Sequence, residues 1–344
     1  MVLKADRYKE LDAFRGIAAL MVVFFHFTLG RKEAQLGFKL GTTGVDLFFI
    51  ISGFVIFYSI SKVKSGIDFV INRICRLYPT YWTCVTILFI LLIGRSFYRN
   101  AEVPFLQYLA NMTMFQYYIG MPDMDGPYWT LIVEMNFYIL ILIFFIFNLF
   151  RYIDFIFILL TIITVTITTF FYNGVTQKIL YDFPLLEFLP LFFSGVTFYK
   201  IYSQKKKLFL RYLIVLICLL SQIFLFEFAG RSNAFINKNE YAIMLLIYFS
   251  AFVLFVNNKM KLVISRITLF LGKISFALYL IHQYLSIGVI IPLLVNKLHL
   301  NFWVASLCIA LPVVILMATF ITFYIEIPLS RKMKEFLQSR LIYK

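Results

Sequence analysis

Within the long apolar stretches of this sequence stand a few side chains that can carry charge or move a proton. Arg15 and His26 lie in LDAFRGIAALMVVFFHF, Glu134 in GPYWTLIVEMNFY, and Tyr279 and His282 in ISFALYLIH. A charge in hydrocarbon costs a few kcal/mol or more, so each is a functional candidate by default. Arg15 and His26 are eleven residues apart. On a helix they project from one face, separated by roughly 16 Å along the axis. That face offers a fixed cation near one end and a titratable imidazole farther along. An imidazole can act as general base or as nucleophile. Plainer readings stand beside these: Arg15 can snorkel to the interface, and His26 can serve an interhelical hydrogen bond. Glu134 falls about one and a half turns into its helix, at a depth similar to that of His26 if the two helices run in opposite directions. A carboxylate there can orient an imidazole and hold its proton; otherwise it is a paired structural glutamate. Tyr279 and His282, three residues apart, share a helix face.

Arg73 and Arg76, in FVINRICRLYPTYW, put two guanidiniums on one face of a further helix. Guanidinium suits phosphate recognition, although ordinary topology or lipid headgroups could also explain it. Asp46 reads as a carboxylate at a helix start, and His299 as a surface residue. Cys75, Cys84, Cys218 and Cys308 have no metal-ligand spacing and no disulfide framework.

The elements that must hold these groups are membrane helices. The sequence is 62% hydrophobic and 14% charged, with a mean hydropathy of +0.88. A soluble domain is nearer a quarter charged. A membrane barrel would alternate with period two, whereas runs such as Ile139 to Phe147 are uniformly apolar. Each crossing takes about 20 apolar residues. Spans are expected at 11–29, 43–60, 79–94, 128–149, 152–172, 184–202, 208–228, 240–257, 273–294 and 302–325. The fold class is therefore all-α, a polytopic integral membrane bundle of about ten helices, read as one domain over residues 1–344 with no soluble C-terminal domain. The piece Phe105 to Ile119 reads as interfacial or re-entrant. The first apolar run lacks a cleavage site and is expected to stay as a span. With both termini in the cytoplasm, inner segments hold 22 Lys and Arg and outer ones 9, which favours that orientation. The net charge of +15 is then an attribute of the inner loops, not a sign of nucleic acid.

Six blocks together resemble the membrane-bound acyltransferase family 3, which includes bacterial O-antigen and exopolysaccharide O-acetyltransferases. They are Leu11, Asp12, Arg15, Gly16 and His26; then GVDLFFIISGFVI; then Arg73, Arg76, Leu77, Pro79 and Trp82. Next come Trp129, Thr130, Leu131, Glu134, Phe137 and Tyr138; then Ser275, Leu278, Tyr279 and His282; and last Glu326, Pro328 and Arg331. The resemblance runs from about residue 8 to 335. It implies transfer of an acyl group, usually acetyl, from cytoplasmic acyl-CoA to a hydroxyl on a glycan or lipid-linked sugar, in a bacterial inner membrane. No permanently bound cofactor and no metal are expected; acetyl-CoA is the donor substrate, and membrane lipids are the surroundings. Arg15, Arg73 and Arg76 would hold the phosphates of the donor. His26 would be base or acyl carrier, with Glu134 assisting, and Trp129, Tyr279 and His282 would line the substrate path. The competing class is a transporter or flippase for a lipid-linked glycan or acyl compound. It too would need charges at the midplane, but no inverted repeat or matched pair of interrupted helices supports it.

Overall fold

The computed structural model describes residues 8–99, 104–171, 173–228 and 231–341. Of the 22 inner charges of the sequence reading, Lys4, Arg7 and Lys344 lie outside them. Regular structure among the described residues is helical throughout. The helices are α1 (Lys9–Thr28), α2 (Gly44–Ile60), α3 (Gly66–Arg99), α4 (Phe105–Met112) and α5 (Trp129–Ile146). After these come α6 (Ile153–Phe170), α7 (Gly174–Asp182), α8 (Leu185–Gln204), α9 (Leu208–Leu225) and α10 (Lys238–Val256). The last three are α11 (Arg266–Gln283), α12 (Leu311–Phe320) and α13 (Ile327–Leu341). Among the described residues ten segments are long and apolar enough to cross a membrane, matching the ten expected. The protein is a multi-pass, all-α membrane protein. The third span begins at Gly66, well before residue 79. Asp68, Arg73 and Arg76 mask its first turns from a hydropathy reading, and Pro79 stands inside the helix instead of opening it.

The chain passes twice through each of two compact units. One comprises Met1–Lys62 and Asn136–Lys273, the other Val63–Met135 and Ile274–Lys344. The changeovers after Lys62, within α5 and within α11 are made by continuous chain.

In the first unit α2 and α8 make the most intimate contact. Its centre is a pair of glycines. A Cβ on Gly53 would collide with the Phe192 carbonyl, and one on Gly195 with the Ile50 carbonyl. Between apolar helices in lipid, close backbone approach replaces the hydrophobic drive that water would supply. Aromatic rings fill the space beside this crossing: Phe192 stacks on Phe49 at 4.8 Å and on Phe137 at 4.4 Å. Polar groups are paired across helices. Tyr241 donates to Asp46 at 2.9 Å, Thr43 bonds Tyr248 at 2.7 Å, and Lys200 meets Asp154 at 2.6 Å.

In the second unit α4 runs down the side of α3. The Tyr108 ring stacks on Phe89 at 4.2 Å, Trp82 donates to the Met112 carbonyl at 2.9 Å, and Tyr78 donates to the Thr113 carbonyl at 2.8 Å. The stretch from Phe105 thus runs back along α3, with its end beside the middle of that helix. Its backbone needs partners at that depth. The Asn111 side chain supplies three bonds: it donates to the Gln107 and Pro122 carbonyls and accepts from the Met124 amide.

Three of the four π-helical segments among the described residues end two residues before a proline. Tyr284–Ile290 precedes Pro292, Val304–Ala310 precedes Pro312, and Ile321–Glu326 precedes Pro328. Proline lacks an N–H and its ring clashes with the carbonyl four residues back. Widening the turn to i→i+5 relieves that clash without ending the helix.

Overfilling the glycine crossing is expected to be costly. Gly53→Val should destabilise the protein by roughly 1–3 kcal/mol or more, read as a lower unfolding midpoint in detergent. Gly94→Val, where a Cβ would meet open space, serves as the control and should cost less.

Candidate functional site

The first unit holds Arg15 and His26 of the candidate residues. Both are half-buried on one side of α1, flanked around the helix by the buried Val22 and Ala19. His26 lies in the last turn of α1. Its Nδ1 sits 2.9 Å from the Val22 carbonyl. A carbonyl only accepts, so Nδ1 carries the hydrogen and Nε2 is the basic atom of the ring. Asp46 is in the first turn of α2, as a helix-start carboxylate would be.

The second unit holds Arg73, Arg76, Trp129, Glu134, Tyr279 and His282. Arg73 lies against the Phe69 ring at 5.7 Å, and Arg76 against the Phe276 ring at 5.5 Å. Arg76 also forms an ion pair with Glu326. The Glu326 side chain is 7% exposed and that of Arg76 is 38% exposed, so the carboxylate is the fixed partner. The Tyr279 hydroxyl donates to the Pro127 carbonyl at 3.2 Å and lies 3.0 Å from the Thr130 hydroxyl. It ties α11 to the start of α5, where Trp129 stands half-buried. His282 is fully buried, and its Nδ1 approaches the Tyr279 and Leu278 carbonyls at 2.9 and 3.2 Å. Glu134 is half-buried on α5, a little over one turn beyond Trp129. Tyr279 therefore joins α11 to the α5 start, next in sequence to Trp129, with His282 one turn on along α11. Arg76 joins α3 to the segment leading into α13, and Arg73 stands one turn before it on α3.

Two functional-looking carboxylates were missed in the sequence. Glu326 was seen only as part of a motif; its partner is 250 residues away, beyond any local pattern. Asp125 stands just before the 3-10 turn Gly126–Tyr128, outside every block of the resemblance. It accepts from the Gly126 amide at 2.8 Å, starting the 3-10 turn Gly126–Tyr128, and from the Tyr284 amide at 3.1 Å, where α11 widens into its π segment. The Asp-Gly-Pro order signals the helix start, but nothing local signals Tyr284. Burial pushes the Asp125 carboxyl up to about 7 against these two amide bonds. Among the described residues no group of three or more His, Cys, Asp or Glu could hold a metal.

The family model described as "Acyltransferase domain" matches residues 8–325. The chain belongs to this acyltransferase family. The acyltransferase is 27% identical over 296 residues to the protein named "Putative acetyltransferase ORF330" of Acidianus two-tailed virus, covering 79% of this chain and 82% of that one. It is 27% identical over 159 residues to "Nodulation protein 10" of Rhizobium leguminosarum bv. viciae, covering 38% and 42%. It is 37% identical over 84 residues to "Protein 2 in picA locus" of Rhizobium radiobacter, covering 22% and 41%. No solved structure matches the acyltransferase.

Because the Asp125 carboxyl is raised on folding, the folded state holds its proton more tightly than the unfolded chain. The stabilisation it confers is complete below the ordinary value of 3.8 and is lost as pH rises to about 7. Unfolding midpoints in detergent should therefore fall more steeply from pH 4.5 to 7 for the wild type than for Asp125→Asn. Parallel slopes would refute the assignment.

Proposed function

We propose that this acyltransferase moves an acyl group, acetyl first among candidates, from cytoplasmic acyl-CoA to a hydroxyl of a cell-surface glycan or lipid-linked sugar. The carrying observation is the family match over residues 8–325. Acetyl as the group finds support in the printed name of the viral relative. In this reading the protein spans a bacterial inner membrane with both termini in the cytoplasm, and Arg73 and Arg76 lie on the donor side. Their guanidiniums, braced against Phe69 and Phe276, are suited to the phosphates of CoA. Arg15 adds a third cation.

The chemistry follows from the His26 tautomer. Nε2 takes the proton of the acceptor hydroxyl, and the oxygen attacks the thioester carbonyl carbon. The C–S bond then breaks, and the thiolate leaves and is protonated. If instead Nε2 attacks first, the acyl group rests on the imidazole before reaching the acceptor. Glu134 is the second candidate for proton transfer. Trp129, Tyr279 and His282 are assigned to the substrate path. Tyr279→Phe would keep the ring and lose its bonds to Thr130 and Pro127.

His26→Ala should lower kcat by about 10²–10⁴ and leave the protein folded, since a membrane hydrogen bond contributes on average under about 1 kcal/mol. The measurement is transfer of labelled acetyl from acetyl-CoA to surface polysaccharide by purified protein, beside the unfolding midpoint. A folded His26→Ala protein with wild-type turnover would remove His26 from the mechanism. Reporter fusions at Lys344 should be active only for a cytoplasmic reporter; periplasmic activity would reverse the topology.

A further inference from the structure

The second unit contains a pocket whose lining shares no residue with the blocks of the resemblance. Its volume is about 200 Å³, and it lies between α3 and α11. Cys84, Leu88 and Leu91, at helical spacing on α3, line one side. Ile281 of α11 and Leu285 of its π continuation line the other. Asp125 is the one acid in the lining, and among the described residues no Lys or Arg stands there. Drug-sized ligands take pockets of roughly 300–1,000 Å³, so this space suits a single small ring.

Two further polar groups gather around Asp125. The Asp125 oxygens accept one amide each, from Gly126 and Tyr284. A carboxylate offers about four acceptor sites, so each oxygen can take one bond more. Gln283 lays its amide where a side chain on Gly126 would stand: its Nε2, Oε1 and Cδ all lie within 2.9 Å of that Cβ position. The glycine after Asp125 thus makes room for Gln283, whose Oε1 is enclosed with no hydrogen-bond partner. Tyr128 is fully buried. Its ring meets that of Tyr81 at 5.3 Å, one turn before Cys84 on the same face of α3. The Tyr128 hydroxyl also has no partner, and Cys84 and Asp125, both of the pocket lining, act on it electrostatically.

These groups have complementary needs. The Gln283 and Asp125 oxygens call for a donor, and the Tyr128 O–H calls for an acceptor. An ammonium only donates, and an ionised carboxylate or phosphate only accepts. An alcohol does both, and the carbon–hydrogen faces of a sugar ring suit the leucine walls. An acidic sugar would bury its carboxylate in an apolar space with no cation to pair it, which is costly.

We propose that this pocket seats one ring of an uncharged sugar, the acceptor, with Asp125, Tyr128 and Gln283 reading its hydroxyls, and that it turns acidic sugars away. The assignment rests on the acyl-transfer reading above and makes the acceptor a neutral glycan.

Purified full-length protein in a sugar-free zwitterionic detergent is titrated with a panel of methyl hexopyranosides and with the uronates of the same rings, reading the shift in unfolding midpoint. Acetyl transfer from acetyl-CoA to each sugar is measured on the same preparations. At least one neutral hexoside should raise the midpoint, and its uronate should not. Tyr128→Phe and Gln283→Met should each weaken that hexoside by about two- to tenfold, as loss of one hydrogen bond does. Leu88→Phe, which fills the pocket, should abolish the shift. The KM for the hexoside should rise in step, and that for acetyl-CoA should hold. Without sugar, Tyr128→Phe should unfold no earlier than the wild type, because it deletes an enclosed hydroxyl that bonds nothing; a tyrosine of purely structural use would lower the midpoint. If Leu88→Phe does not fold, the other two variants decide. A midpoint shift that survives in both would be general exclusion of sugar from the surface and would overturn the proposal. So would equal protection by hexosides and uronates, or protection by none. Hexoside binding that the variants weaken, in a wild type that transfers no acetyl group, would sustain the pocket and refute the reaction.

Discussion

Hydrocarbon offers a backbone no hydrogen bonds, and the departures from the α-helix beside α3 and at the start of the π segment after α11 answer to that fact. Where the chain breaks helix at depth, beside the middle of α3, Asn111 stands in for the missing partners with three bonds. Trp82 and Tyr78 cap the carbonyls of Met112 and Thr113. Where α11 widens, the Tyr284 amide goes to Asp125. A carboxylate placed to satisfy two amides is itself costly to bury, which is why its proton is held so tightly. The same constraint that shapes the backbone thus creates a titrating group.

Prolines supply the second layer of this logic. In water a proline in a helix interior usually ends or kinks the helix. In these apolar spans the helix continues through π turns, and the side chains beyond each turn are rotated relative to a straight helix. The pair of Arg76 and Glu326 depends on such a rotation. Specific placement of a charge is achieved with one imino acid, two positions after the residue it aims.

The spans could be read from hydropathy because lipid leaves little freedom: a run of about 20 apolar residues has one use. Charge hid what the pattern could not count, as with the first turns of α3, where Arg73 and Arg76 made helix resemble loop. That Phe105 to Ile119 is no span was visible as apolarity in a segment too short to cross. The chemical side chains were visible through their cost: Arg15, His26, Glu134 and His282 stand out against apolar neighbours. What the sequence withheld were partnerships between distant residues. Glu326 with Arg76, Asp125 with the Tyr284 amide, and Tyr279 with Thr130 are set by tertiary approach, and no periodicity encodes them.

The interleaving of the two units has a consequence for biosynthesis. Gly53 and Asp46 are synthesised long before Gly195 and Tyr241, against which they pack. At about 5–20 residues per second, α2 waits on the order of ten seconds for α8. During that interval an acidic side chain and a bare glycine surface stand in or beside the translocation machinery without their native cover. Only when Lys273 has been made can the first unit close, and the second must await the residues that follow. The nascent chain must therefore be sheltered as a set of unassembled helices, and its assembly is a late event set by the order of translation.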